Sequence, residues 1–346
     1  MEINFFRFGA DSGDNGCYFR DTTAPDKARL VLVSAPWGVT SAGGEGAAYA
    51  PDAIIDSSAH LGEFDAVSGI SLSGNVATAT IDYDIQENSQ RLGADAGKII
   101  SHIDDGGVIV GEYFTRKVAR VNEGFAQMHA SICAQTKRWI EAGKRVGIVG
   151  GDHTVGFGAV RAVAEREGEI GVLYLDSRCD MHLAGESSFG YSHLSAARNI
   201  LEEIPAVGRM VLAGIRDTDR DEYARAKADN RVSLFLMDEL TALRFEGRAW
   251  ADICKDVIAP LPAKVYVSID ASVLSLDCCP NSKQPVAGGM SFNETVYLIN
   301  SVVASGRTIV GFDLTGIVPK FENNIDALTG ARLLAKLCCA TLRNKQ

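Results

Sequence analysis

Gly171-Val-Leu-Tyr-Leu-Asp-Ser-Arg-Cys-Asp180 is the stretch whose reading decides the fold. Its first half is a short apolar run with no polar alternation, the pattern of a strand buried on both faces of a parallel sheet. Its second half sets Asp176, Arg178 and Asp180 at every other position, which predicts that all three face one crevice where the strand ends. An imidazole at position 178 would complete a metal site there. A guanidinium cannot, because it is always protonated and has no lone pair to give. Arg178 therefore marks a remodelled site.

Working outward, similar runs recur at Leu30–Ser34, Ala77–Ile81, Val146–Val149, Met210–Ala213, Val232–Leu236, Val265–Ile269 and Thr308–Phe312. Helical stretches lie between them. In one, Val118, Val121, Phe125, Met128 and Ile132 keep the three-four spacing of an apolar helix face. Strands alternating with helices predict βαβ units and a three-layer α/β/α fold with one doubly wound, mostly parallel sheet of about eight strands. No repeat, linker or low-complexity tract divides the chain, so residues 1–346 read as one domain.

The 346 residues are 46% hydrophobic and 23% charged, with a net charge of −10 and acids and bases mixed along the chain. A chain without a basic cluster is a poor partner for nucleic acid or an anionic membrane. No apolar run is long enough to span a bilayer. The first residues, Met-Glu-Ile-Asn-Phe-Phe-Arg-Phe, lack the basic-then-apolar order of a secretion signal, and an intracellular location is expected. The eight cysteines show no Cys-x-x-Cys spacing, so reduced thiols are expected rather than a thiolate zinc site. The adjacent pairs Cys278-Cys279 and Cys338-Cys339, if exposed, would be able to crosslink subunits under oxidising conditions.

In open α/β sheets ligands sit beyond the carboxyl ends of the strands. Polar clusters follow four of the runs: Gly150-Gly-Asp-His-Thr154, Asp176-Ser-Arg-Cys-Asp180, Arg216-Asp-Thr-Asp219 and Ser268-Ile-Asp-Ala-Ser272. All are expected on one rim. In this order they resemble the ureohydrolase family of arginases and agmatinases, whose motifs read Gly-Gly-Asp-His-Ser, Asp-Ala-His-x-Asp and Ser-Phe-Asp-x-Asp. Weaker echoes are Tyr49–Ile54, Gly288–Ser291 and Val310–Leu314, and the resemblance runs from about Val31 to the C-terminus.

The resemblance implies the same open α/β/α fold, often assembled as trimers or hexamers. It also implies two Mn²⁺ ions sharing a hydroxide that attacks a guanidinium carbon; such a pair acidifies the bridging water and templates the attack. Carried over residue by residue, the first-metal positions are His153, Asp176, Asp180 and Asp270. The two positions private to the second metal hold Arg178 and Ser272, and a neutral hydroxyl is a poor ligand for a hard cation. The glutamate that grips the substrate guanidinium falls at Gly316. Tyr191 and His182 stand where asparagines of the carboxylate-binding loop are expected. Asp217, Asp219 and Glu222 match the acids that hold the substrate α-amino group, and His193 matches the proton-shuttling histidine.

These departures imply at most one weakly held Mn²⁺. They point to a family member that has lost guanidine hydrolysis and binds a small amino-acid-like ligand or regulates a partner. A one-metal hydrolase of a related C–N bond and a structural subunit with an empty site are the alternatives. Crowded together, Asp176, Asp180 and Asp270 need a cation to hold their charge. The Arg178 guanidinium, placed in the second-metal position, is expected to be that cation.

Overall fold

The computed structural model describes residues 15–41, 46–183, 189–281, 285–320 and 322–343. The N-terminal segment read above for a secretion signal lies outside them.

Eight parallel strands form the central sheet: β1 (Leu30–Ala35), β2 (Val76–Thr78), β3 (Arg145–Gly150), β4 (Ile170–Leu175), β5 (Val207–Ile215), β6 (Val232–Leu236), β7 (Lys264–Asp270) and β8 (Thr308–Thr315). Their spatial order is β2-β1-β3-β8-β7-β4-β5-β6. Each apolar run of the sequence is one of these strands, although the second pairs only as far as Thr78, short of Ile81. A small antiparallel pairing, Phe64–Asp65 with Ile70–Ser71, was not foreseen; its residues are too few to show a period of two.

Side chains of β4 show why the runs lack alternation. Leu173 and Leu175 enter one apolar core while Val172 and Tyr174 enter the other, so both faces of the strand are dry. The first core is closed by α1 (Ala50–Ser58), α7 (Met237–Phe245), α8 (Trp250–Ile258), α9 (Phe292–Ala304) and α10 (Ile325–Leu342). The second is closed by α2 (Tyr83–Asp104), α3 (Glu112–Glu141), α4 (Gly156–Glu167), α5 (Ala196–Glu203) and α6 (Arg220–Ala228). The predicted stripe on α3 forms part of that second core, with Val121, Phe125, Met128 and Ile132 buried.

All eight cysteines are free. The expectation that the adjacent pairs are exposed is corrected: Cys279, Cys338 and Cys339 are buried, and Cys278 is only partly accessible. Both residues of the second pair lie on α10 and pack in the core, because that helix is sandwiched along most of its length. Among the described residues no helix is long and apolar enough to cross a membrane.

Candidate functional site

Four neighbouring strands deliver the site. β3, β8, β7 and β4 lie side by side, and beyond their carboxyl ends or at them stand His153, Gly316, Asp270 and Asp176. The chain leaves β3 through Gly150-Gly151, where a Cβ on Gly151 would sit 1.8 Å from the carbonyl oxygen of Trp37. Glycine alone permits that approach. Asp152 then caps a short turn, accepting from the Thr154 amide at 3.1 Å, and the turn points His153 back over the sheet.

The strand geometry does not continue past Leu175. Asp180 adopts a left-handed backbone (φ 50°), a sparsely populated state for a residue with a side chain. That turn, not the period of two, brings its carboxylate back to within 3.6 Å of His153 Nδ1. Thr40 anchors His193, its hydroxyl accepting from the His193 amide at 3.2 Å and lying 3.3 Å from His193 Nδ1. His193, Gly316 and Val318 complete a crevice of about 70 Å³ with His153, Asp176 and Asp270. That is space for a handful of waters at about 10–15 Å³ each.

His153 is the hub. Its Nδ1 lies 2.7 Å from Asp176 Oδ2 and its Nε2 lies 2.9 Å from Ser268 Oγ, whose hydroxyl donates to Asp313 Oδ1 at 2.9 Å. Tyr174 stacks on the imidazole with ring centroids 4.1 Å apart and donates its phenol proton to Asp180. Burial by itself would favour neutral imidazole, but the hydrogen bonds to Asp176 and Asp180 raise the His153 pKa well above its ordinary value. Burial also opposes ionisation of Asp176, and the His153 bond overcomes it, holding this carboxyl below the usual range. For Asp180 and Asp270, burial and the nearby Asp176 charge push the carboxyl up. The site is therefore an imidazolium–carboxylate pair with weaker acids around it.

The cation facing these acids is His153, not Arg178. Arg178 lines the crevice, but its guanidinium pairs with Asp217, and its backbone amide donates to Asp176 Oδ1 at 3.0 Å. This corrects the expectation that the guanidinium is the cation paired with Asp176, Asp180 and Asp270. An imidazolium already neutralises Asp176, whereas Asp217 is half exposed and lets a long guanidinium keep its water. Ser272 does stand where expected, with its hydroxyl donating to Asp176 Oδ1 at 2.8 Å and its amide to Asp270 Oδ1 at 2.8 Å. Arg216 serves the backbone, donating to the carbonyls of Ser272, Leu274 and Val286.

The acids matched to an amino-group site do not line the crevice. Asp217 is held by Arg178, while Asp219 and Glu222 form a capping box at the start of α6 and face His182 at 3.4 and 3.5 Å. Tyr191 also points elsewhere, donating to Glu203 at 2.7 Å. Tyr174, Ser268 and Asp313 belong to the His153 network without having been singled out individually, although Ser268 and Asp313 fall in stretches quoted above. Ser268 and Asp313 had a visible signal, a polar residue inside an apolar strand, and Tyr174 had none.

A family model described as "Arginase family" matches residues 28–340. The chain belongs to the arginase family. Among characterised arginase-family proteins it is 26% identical to N(1)-aminopropylagmatine ureohydrolase of Thermococcus kodakarensis over 313 residues, 90% of each chain. It is 29% identical to the same-named protein of Thermus thermophilus over 209 residues, which are 60% of this chain but only 66% of that one. Among solved structures, proclavaminate amidinohydrolase from Streptomyces clavuligerus superposes with a TM-score of 0.71 at 21% identity, covering 95% of this chain and 97% of the other. Agmatine ureohydrolase of Thermoplasma volcanium superposes with a TM-score of 0.68 at 18% identity, covering 93% of both chains. These superpositions show the same eight-stranded parallel sheet with flanking helices.

Arginase-family proteins typically bind manganese, and His153, Asp176 and Asp180 have donor atoms close enough to hold an ion. Asp270, the fourth expected ligand, lines the same crevice but lies outside that group, which by itself presents one imidazole and two carboxylates, donors that suit a single Mn²⁺. The set for a second ion does not fit: Arg178 offers no lone pair and Ser272 no charge. Nor does the guanidinium-gripping glutamate have a counterpart. Gly316 has φ 74°, and a Cβ there would sit 2.3 Å from Asp270 Oδ1.

Proposed function

We propose that this arginase-family chain has lost guanidine hydrolysis and keeps its crevice as a site for at most one divalent cation, weakly held. One observation carries the reading: both positions that a second ion would need are spent on internal bonds, Arg178 on Asp217 and the Ser272 hydroxyl on Asp176. A bound ion would polarise water; in the family a pair does so more strongly than one ion can. His153, Asp176, Asp180 and Asp270 would hold the ion, Ser268 and Asp313 would orient the His153 ring, and His193 would move a proton at the crevice mouth. A small amino-acid-like ligand remains part of the proposal, as does assembly into a trimer or hexamer. An intracellular, reducing setting is supported by the free thiols.

A second reading, a one-metal hydrolase of another C–N bond, is favoured by the intact His153–Asp176–Asp180 set. Urea release from L-arginine, agmatine and N(1)-aminopropylagmatine in Mn²⁺ buffer tests the first reading, and no turnover is expected. A turnover of about 10 s⁻¹, ordinary for an enzyme, would overturn it. Ammonia release from a panel of amidines and amides tests the second. A thermal-shift screen of free amino acids tests ligand binding separately from catalysis.

A further inference from the structure

We propose that His182, Asp219 and Glu222 form a separate zinc-type cation site on the rim of the sheet. The donor atoms of these three residues lie close enough together to share one ion. They belong neither to the crevice nor to its hydrogen-bond network, and the inference does not depend on whether guanidine hydrolysis is lost.

The spacing suits a shared ion. His182 Nε2 lies 3.4 Å from Asp219 Oδ2 and 3.5 Å from Glu222 Oε2. A charge-assisted N–H···O bond closes to about 2.7–2.9 Å, and both contacts are longer than that. Two ligand atoms bound to zinc at about 2.0–2.1 Å and the tetrahedral angle stand about 3.3–3.4 Å apart. Both distances match that tetrahedral edge. In the crevice, by contrast, His153 and Asp176 have closed to 2.7 Å, the length of a hydrogen bond.

The carboxylates are also held for the task. Asp219 Oδ1 accepts the Glu222 amide at 2.7 Å, and Glu222 Oε1 accepts the Met181 amide at 3.0 Å. One oxygen of each is thus fixed by backbone, leaving the other aimed at His182. Glu222 Oε2 has only long contacts besides, 3.4 Å from the Thr218 hydroxyl and 3.4 Å from the Asp219 amide. Such outer bonds orient metal ligands and restrict their rotation. Glu222 is buried, Asp219 half exposed and His182 partly exposed, so a fourth position opens to water. One imidazole, two carboxylates and an open position suit Zn²⁺ better than Mg²⁺ or Ca²⁺, which take all-oxygen shells of higher number.

The test uses the full chain stripped with EDTA and titrated with Co²⁺, whose visible bands are strong only at low coordination number, with Zn²⁺ as competitor. The wild type should develop the bands, and Zn²⁺ should abolish them. His182→Asn should lose them together with one equivalent of bound metal. Asp219→Asn keeps a capping side chain and should weaken binding; it decides the matter if His182→Asn fails to fold by circular dichroism. Loading the crevice is controlled with Ser272→Ala, which lies outside this group, is not a ligand of the crevice and should leave the bands in place. Bands absent from the wild type, unchanged in His182→Asn, unchanged in Asp219→Asn, or lost in a Ser272→Ala protein that circular dichroism shows to be folded would each overturn the proposal.

Discussion

A Cβ on Gly316 would stand 2.3 Å from Oδ1 of Asp270, so these two residues exclude a side chain where the arginase pattern places a glutamate. The loss of that glutamate is built into the backbone, since Gly316 also sits at φ 74°. Restoring it by substitution would displace a residue of the candidate metal set.

Gly316→Ala should therefore lower stability by more than the conformational cost alone, about 1–2 kcal/mol for a side chain in the left-handed region. It should also weaken Mn²⁺ binding by moving Asp270. Urea unfolding and isothermal titration check the two parts. A variant as stable as the wild type would show that the loop re-forms freely. Gly316→Glu should give no urea release from arginine.

The second-metal position should be recoverable in part. Arg178→His supplies a nitrogen donor and Ser272→Asp a carboxylate, with the remaining donors already in place. Elemental analysis after dialysis against Mn²⁺ should give at most one ion at the crevice of the wild type and two in the double variant. Unchanged stoichiometry would mean that these two residues are not what excludes the second ion. The Arg178→Ala change alone should cost no more than about 1 kcal/mol, because its pair with Asp217 is partly exposed.

Metal-free protein should be more stable near pH 5 than near pH 7.5. Burial raises Asp152 and Asp313 to about 6, above the ordinary value of 3.8. The native state then binds more protons than the unfolded chain between those values, so stability falls as pH rises through that window. His153 has a raised pKa too, so its contribution is full below its ordinary value of 6.5 and falls as pH rises from there through the raised one, in the same direction as the two carboxyls. Urea midpoints across this range should show the decline, and Asp313→Asn should make it shallower, with the Asp152 part remaining. At about 1.4 kcal/mol per pKa unit, Asp313 accounts for roughly 3 kcal/mol at most. A flat profile in the wild type would contradict this.

Breaking the hub should be severe. His153→Ala leaves Asp176 buried beside Asp180 without its cation, and one-sided removal from a buried pair costs about 3–5 kcal/mol. Chemical denaturation at neutral pH measures it. Loss below about 1 kcal/mol, the range of an exposed pair, would show that water replaces the imidazolium.

The sequence by itself determined the sheet and the inventory of the site. Each strand of the central sheet was legible because a strand covered on both faces must be apolar throughout, and that needs no partner to be recognised. The missing ligands were equally legible, since Arg178 and Ser272 lack the necessary lone pair or charge in any fold. Tertiary structure decided which way each side chain turns. Arg178 follows Asp217, whose segment comes from the end of a neighbouring strand, β5, and Asp180 reaches His153 through a left-handed residue that breaks the period of two. The crowding that a side chain would meet at Gly316 depends on the register that sets Thr315 beside Asp270. His182, Asp219 and Glu222 meet because β4 and β5 are neighbours in the sheet, and adjacency in space is what a linear pattern does not record.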